Sequence, residues 1–285
     1  MNIFTQIKTW HSLFRSEHAL ITFIGVLVGA LLAAYSFSPF FLLAAIGPAL
    51  ITLAAFALND YYGYETDKAN KRIDRPIVAG KIKRQHALYA ALALFSVGLV
   101  LTYLVNFTVF LLSLVYVMSC FLYDTFLKKL PLVGNVFIAL TMAGPFVYGN
   151  FAVSSNLNSI VLLLAVIAFL VGLGRELLNT LRDVEGDKKI GAKTLPMILG
   201  GKNTAIISSV LILAAVLLSF IPLFTSLFFV PLFYAVFLIP CVLLLLLTVY
   251  KALKSQDNLS LKQCRNYTLA ALGCGVLAFL ALAVT

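Results

Sequence analysis

The sequence has few charged residues for its length, and it has especially few acidic ones. Only 11% of the 285 residues are charged, 11 of them are Asp or Glu, and 62% are hydrophobic. A single water-soluble core could not bury this much apolar surface, so the composition excludes a soluble domain and indicates an integral membrane protein. The apolar segments also lack the period-two alternation of an outer-membrane barrel, which leaves membrane-spanning helices.

Cysteine motifs are absent as well. The four cysteines stand singly, without CxxC spacing and without histidine neighbours, at Cys120, Cys241, Cys264 and Cys274. This spacing favours free thiols packed among apolar residues over a metal site or a redox pair.

The positive charge is confined to five short segments. All 21 lysines and arginines lie in residues 8–15, 68–84, 128–129, 175–202 and 251–265. A formal charge of +10 could suggest nucleic-acid binding, but this distribution argues against it, because the loops between alternate spans carry no charge. If the N-terminus is cytoplasmic, every basic segment falls on the cytoplasmic side, as the positive-inside rule requires.

Apolar spans of the length that a bilayer requires separate the basic segments, roughly 18 to 25 residues each. They cover approximately residues 19–37, 39–61, 86–105, 107–124, 134–152, 158–179, 204–222, 231–251 and 264–284. We therefore predict an all-α, polytopic protein of the cell membrane with about nine transmembrane helices. It forms a single domain over residues 1–285, and its N-terminus and basic loops are cytoplasmic.

Six of the eleven acidic residues lie in two similar loops. Residues 59–68 (NDYYGYETDK) follow the second span, and residues 179–188 (NTLRDVEGDK) follow the sixth, 120 positions later. Asn, Glu, Asp and Lys coincide in the two copies, at Asn59/Asn179, Glu65/Glu185, Asp67/Asp187 and Lys68/Lys188. An even number of helices separates the loops, so both emerge on the same face. The pattern predicts two four-helix pseudo-repeats plus one helix, with a site where the two halves meet.

The acidic residues of these loops occur at helical spacing. If each helix continues past the membrane surface, these residues lie along one face of it. In the first loop the face contains Asn59, Gly63 and Asp67, with Asp60 close by, and in the second it contains Asn179, Asp183 and Asp187. Clustered carboxylates call for a cation, and Mg²⁺ prefers one or two carboxylates together with substrate phosphates. The basic residues that follow each loop could hold the remaining phosphate charge. The loops therefore predict a Mg²⁺–diphosphate site.

Three motifs in this order resemble the UbiA superfamily of intramembrane prenyltransferases. Residues 59–80 (NDYYGYETDKANKRIDRPIVAG) are similar to its NDxxDxxxD motif, and residues 183–196 (DVEGDKKIGAKTLP) to its DxxxD motif. Residues 123–128 (YDTFLK) are similar to its YxxxLK motif. The resemblance extends from the first span to beyond residue 200. It implies a nine-helix fold and the Mg²⁺-dependent transfer of a prenyl group from an allylic diphosphate donor to a lipid-soluble acceptor.

The resemblance also implies roles for individual residues. By this resemblance, Asp67, Asp183 and Asp187 are the expected catalytic acids. The expected metal ligands are Asn59, Asp67, Asp183 and Asp187. Asp60 is predicted to replace the ligand that is missing at Gly63. The diphosphate contacts become Arg15, Arg72, Tyr123 and Lys128.

The acceptor is a more specific expectation. Residues 65–82 (ETDKANKRIDRPIVAGKI) are most similar to the archaeal lipid enzymes that add geranylgeranyl to geranylgeranylglyceryl phosphate. An aromatic, quinone or chlorophyll-type acceptor is the alternative. An ion-coupled transporter remains a second alternative, because acidic residues and internal repeats are typical of transporters too.

The sequence departs from the family pattern at three places. Gly63 stands where NDxxDxxxD has its middle Asp, and Thr180 stands where related sequences often have an acid. Arg15-Ser-Glu-His18 replaces the more usual RPxN, so His18 either supplies a polar contact in place of that Asn or is an interfacial histidine. Gly63 raises the possibility of a non-catalytic relative. If Asp60 compensates for it, an Asp introduced at position 63 should be tolerated.

Overall fold

The computed structural model describes residues 3–34, 36–69, 71–189, 191, 193–224 and 231–284. Parts of the predicted first span and of the loop at residues 224–226 lie outside these residues, as do positions 70, 190 and 192 of the two long motifs. Within the described residues the chain forms twelve α-helices: α1 (Ile3–Phe14), α2 (Ser16–Ala34), α3 (Phe40–Tyr62), α4 (Tyr64–Ala69), α5 (Arg84–Val105), α6 (Phe107–Thr125), α7 (Val133–Val153), α8 (Ser159–Lys189), α9 (Leu195–Leu199), α10 (Gly201–Leu218), α11 (Pro231–Lys254) and α12 (Asn258–Ala283).

Nine helices of the described chain are long and apolar enough to cross a membrane, which confirms the expected number. They are α2, α3, α5, α6, α7, α8, α10, α11 and α12. Many large apolar side chains on their outer faces are exposed, as expected where lipid surrounds a bundle. The short helices α1, α4 and α9 lie between or before the spans.

The packing follows the repeat that the two loops predict. In the first half α2 packs on α3, α3 on α5, and α5 on α6. In the second half α7 packs on α8, α8 on α10, and α10 on α11, which is the same succession. The ninth span, α12, packs against α11, α8 and α2 and so closes the bundle. The structure therefore has two four-helix pseudo-repeats plus one helix.

The halves meet where α2 crosses α7. A β-carbon at Gly29 would collide with the backbone carbonyl of Phe146, and one at Gly149 would collide with the carbonyl of Val26. The two backbones are in direct contact because both positions lack a side chain. This crossing fixes one half of the molecule against the other.

The two acid loops differ in their backbone. α8 runs without interruption to Lys189, so the second copy continues as a helix, as predicted. In the first copy α3 ends at Tyr62, and α4 begins at Tyr64 after a single break at Gly63. The Gly63 N–H still donates to the Asn59 carbonyl (2.8 Å), and its own carbonyl accepts from the Asp67 N–H (2.9 Å). The helical course is thus nearly maintained to Asp67.

Candidate active site

A cavity of about 510 Å³ lies inside the bundle. Eight helices line it, namely α2, α3, α6, α7, α8, α10, α11 and α12, while α5 packs outside against α3 and α6. The end beside the acid loops is lined by charged and amide side chains, including Asn59, Arg72 and Asp183. The interior is lined by apolar side chains such as Phe146, Leu238 and Phe279. The cavity is suited to a molecule with an anionic head and an apolar tail.

Asn59 connects the first acid loop to α6. Its Nδ2 donates to Asp124 Oδ1 (2.7 Å), and Lys128 Nζ lies 3.8 Å from the same oxygen. Asp124 is buried, and it lines the cavity together with Asn59 and Tyr123. The Tyr123 ring stacks on Phe137, with 5.0 Å between the centroids. The structure thus brings Asn59, Tyr123 and Lys128 together around Asp124.

Asp124 has no role in the motifs that predict the site. It lies between Tyr123 and Lys128 in the YDTFLK segment, at the end of an apolar span and four residues before the lysine. A carboxylate inside a span is a functional candidate by default, and that signal was available in the sequence.

Asp60 is enclosed by arginines. Its side chain is almost fully buried, and its Oδ1 accepts from Arg15 Nη2 (2.6 Å) and from Arg75 Nη1 (3.3 Å). The Arg15 guanidinium also lies over the Phe56 ring, 4.5 Å from its centroid. Both guanidinium groups contact Oδ1, while Asp60 Oδ2 is buried and has no hydrogen-bond partner. Asp60 therefore holds Arg15 and Arg75 in place through Oδ1, and the ligand role predicted for it stays a prediction.

Arg15 lies at the junction of α1 and α2, outside the spans, with a positive φ of 46°. Burial and the nearby Arg75 charge lower its pKa to about 10, while Asp60 and Asp67 oppose the change. Arg15 remains protonated at neutral pH, since that value is well above 7. It lines the cavity as a cation, where the resemblance predicts a diphosphate contact.

Arg72 lies between the two acid loops. It makes two hydrogen bonds to Asp74, both 2.9 Å. These bonds, and then the charges of Asp74, Asp67 and Asp183, raise the pKa of Arg72 above its ordinary value. An electrostatic effect from both Asp67 and Asp183 means that the two loops converge near this residue.

The remaining predicted acids differ in their partners. Asp67 Oδ2 lies 3.6 Å from Arg75 Nε. Asp183 accepts two hydrogen bonds from Arg182, 2.9 and 2.8 Å long. Asp187 follows one turn later on α8 and makes no salt bridge within the described part of the chain.

Among the described residues, no three His, Cys, Asp or Glu side chains are close enough together to form a metal site by themselves. The nearby donors are carboxylate and amide oxygens, which suit a hard cation. Mg²⁺ commonly takes only one or two protein carboxylates and completes its coordination with substrate phosphates and water. The residues present fit a cation that is held jointly with a phosphorylated substrate.

Three arginines that the sequence motifs do not single out also line the cavity. Arg175 on α8 is buried beside Glu176 (2.9 Å), Arg182 follows two turns later, and Arg265 is on α12. In the sequence all three belong to the basic segments that predict the cytoplasmic side. Arg175 falls inside the predicted span 158–179, and a charge at that depth was a signal of function.

A helical membrane bundle whose cavity has a charged mouth and an apolar interior is suited to binding lipid-like anions. This chain belongs to the UbiA prenyltransferase family, whose sequence profile matches residues 22–269. It is therefore an integral membrane prenyltransferase, and the transporter interpretation of the repeat is set aside.

Individual relatives support the same assignment. A digeranylgeranylglyceryl phosphate synthase of Archaeoglobus fulgidus is 37% identical over 282 residues, covering 96% of this chain and 95% of the relative. A solved structure described as digeranylgeranylglyceryl phosphate synthase in membranes has a TM-score of 0.73 at 26% identity, covering 98% of this chain and 99% of that one. A UbiA homolog from Archaeoglobus fulgidus bound to GPP and Mg²⁺ shares the fold, with a TM-score of 0.63 at 18% identity over 95% and 99% of the chains.

Proposed function

We propose that this protein transfers a prenyl group, most simply geranylgeranyl, from an allylic diphosphate to a lipid acceptor such as geranylgeranylglyceryl phosphate. The observation that carries the proposal is the cavity, because its charged mouth continues directly into an apolar interior. A diphosphate head and a prenyl tail require this combination. Relatives named digeranylgeranylglyceryl phosphate synthase support this acceptor over an aromatic, quinone or chlorophyll-type one.

The acids of the two loops would bind the metal. Asp67, Asp183 and Asp187 are the catalytic acids of the proposal, with Asn59 as an amide ligand. Mg²⁺ supplies charge neutralisation for the departing diphosphate when it is bound. The relative of known structure that holds GPP together with Mg²⁺ is consistent with this arrangement.

The cations at the mouth, together with Tyr123, would bind the diphosphate itself. Arg15, Arg72, Tyr123 and Lys128 are the proposed contacts, and Asp60 positions Arg15 by its buried ion pair. Fixed cations that face the leaving group stabilise its developing charge without rearrangement during the reaction.

The apolar interior would protect the reaction from water. The C–O bond to the diphosphate breaks and the diphosphate leaves with the electron pair. The acceptor hydroxyl oxygen then forms the new C–O bond and releases its proton. An allylic cation survives only where water is excluded, and the apolar walls around Phe146 and Phe279, whose ring centroids are 5.6 Å apart, provide such a place.

The proposal includes the orientation and extent of the protein. The N-terminus and both acid loops face the cytoplasm of a cell-membrane protein, which the confinement of basic residues to one set of loops supports. Residues 1–285 act as one domain, in keeping with a bundle whose halves share one cavity.

The test is a transfer assay with purified protein. Labelled geranylgeranyl diphosphate, Mg²⁺ and a panel of glyceryl phosphate and quinone-precursor acceptors are supplied, and products are identified by mass. We expect diphosphate release together with a diether product from geranylgeranylglyceryl phosphate. Transfer to a quinone precursor alone would replace the acceptor assignment. Donor binding without transfer to any acceptor would indicate a non-catalytic relative.

A further inference from the structure

One side of the cavity carries arginines that the proposed donor site does not use. Arg175 on α8 and Arg265 on α12 line the cavity, as does His18 on α2. α8, α12 and α2 pack against one another, so side chains from these three helices can reach the same space.

Arg265 has no acidic partner among the residues that the structure describes. Its neighbours Arg175 and Arg182 are each paired with the acid next to them in sequence, Glu176 and Asp183. Arg72, Arg75, Arg175 and Arg182 lie within electrostatic range of Arg265, and all repel it. A cation in such surroundings, at the wall of a cavity, is suited to an anion.

Two buried nitrogen atoms on this side also lack partners. The Arg175 side chain is 10% exposed, and its Nε–H has no hydrogen-bond acceptor. His18 Nδ1 on α2 is buried without a hydrogen bond as well, with the Glu17 carboxylate 3.8 Å away. Arg175 and Arg265 are among the charged groups that act on His18. Unsatisfied buried polar atoms are rare, and at the wall of a cavity a bound ligand is one way to satisfy them.

We propose that Arg175, Arg265 and His18 form a second anion site, which binds the phosphate of the acceptor lipid without a metal ion. This inference rests on the proposed function. The predicted metal-binding acids belong to the two loops, whereas this site offers N–H donors that suit a phosphate monoester directly. A phosphate fixed here would hold the acceptor in the same cavity as the donor, on cations that the proposed diphosphate site does not use.

The test is a comparison of Michaelis constants for Arg265→Gln. This side chain is exposed to the cavity, so its replacement should leave the melting temperature in detergent unchanged. We expect KM for the phosphorylated acceptor to rise at least about tenfold, the loss typical of one charge-assisted hydrogen bond, while KM for the donor stays within about twofold. Arg265→Lys should recover part of the loss. Lys262→Gln, an exposed position one turn earlier on α12, is the matched control and should change neither constant.

Two further measurements identify the group that is recognised. Glycerol phosphate should inhibit the wild-type enzyme competitively against the acceptor, and Arg265→Gln should abolish that inhibition. Geranylgeranylglycerol, which has no phosphate, should show the same KM with both enzymes.

The outcomes separate this inference from the proposed function. If the wild type does not use the phosphorylated acceptor, the proposed function fails. If it does, and Arg265→Gln raises KM for the donor or leaves both constants unchanged, the acceptor-phosphate site is wrong and the proposed function stands.

Discussion

The two acid loops begin from similar sequences but hold their carboxylates differently. In the first loop Asp60 is buried and pairs with arginines 45 and 15 residues away, Arg15 and Arg75. In the second loop Asp183 pairs with its neighbour Arg182 on an uninterrupted helix. Similar sequences in the two loops therefore do not imply the same structural role. The first loop ties separate parts of the chain together, and the second presents its acids from one rigid element.

This difference predicts the largest effect for Asp60→Ala. The substitution leaves two guanidinium groups buried without their shared carboxylate, and breaking such a pair typically costs about 3–5 kcal/mol. We expect a large fall in melting temperature in detergent, with and without Mg²⁺. Asp74→Ala, which removes an exposed partner of Arg72, is the control and should melt near the wild type. A stable Asp60→Ala protein that only loses its Mg²⁺ dependence would instead support the predicted ligand role.

Asp187→Asn should lower the activity and leave the stability unchanged, the reverse of what is expected for Asp60→Ala. The substitution removes a proposed metal ligand that makes no ion pair in the described chain, so the fold should be kept. Loss of one electrostatic group at a reacting centre commonly lowers kcat by about 10²–10³-fold. Transfer rates at rising Mg²⁺ concentrations, with melting temperatures alongside, test this expectation. Glu185→Gln changes an exposed acid of the same loop and should retain activity; equal losses in both variants would contradict the assignment.

Gly63→Asp tests whether the loops can be made alike. The sequence suggested that an Asp here would be tolerated, but a β-carbon would lie 2.8 Å from the Asn59 carbonyl oxygen and 3.7 Å from Asp67 Oδ2. The break between α3 and α4 must therefore shift, and overpacking of this kind costs about 1–3 kcal/mol. We expect a lower melting temperature and a higher KM for the donor. Gly63→Ala is the control, since it adds the crowding without the charge. An unchanged melting temperature in both variants would show that the turn has room.

The smallest effect is expected at Asp74, which follows the first acid loop in the sequence. Hydrogen bonds from Arg72 lower the pKa of Asp74 from its ordinary value of 3.8 to about 2. A lowered folded-state pKa adds stability above the ordinary value, and that stability is lost as the pH falls from about 4 towards 2. Because Asp74 is largely exposed, Asp74→Asn should cost under about 1 kcal/mol at neutral pH. The gap in melting temperature between wild type and variant should be constant at pH 5 and above and should narrow as the pH falls from about 4 towards 2. A gap that persists at pH 2 would be inconsistent with an ionic origin.

The sequence alone was sufficient for the outline of the fold. Hydropathy gave the nine spans, because a bilayer sets their length. The 120-residue offset gave the repeat, because four spans return the chain to the same face. The same reasoning brought Asn59, Arg72 and Asp183 to one cavity, where the structure places them.

The partners of the charged residues could not be predicted in this way. Asp60 meets Arg15 only because α1, α2 and α3 pack together, and no local spacing encodes that contact. From the sequence, Arg175 and Arg265 are assigned to membrane topology. Basic residues at a helix end look the same in a sequence whether they set the topology or bind a ligand. Gly63 was interpreted as a lost ligand, whereas the tight approach of the Asn59 carbonyl is a packing property that only coordinates reveal.

The glycine crossing of α2 and α7 reduces the conformational entropy that the protein can lose when its substrates bind. Because backbone touches backbone at Gly29 and Gly149, this contact contains no side-chain rotamers that could rearrange. The two acid loops, which belong to opposite halves, are therefore held in register before any substrate enters. A reaction that must align two lipids and a leaving group benefits when the protein has already lost that freedom on folding, since little of it remains to be lost on binding.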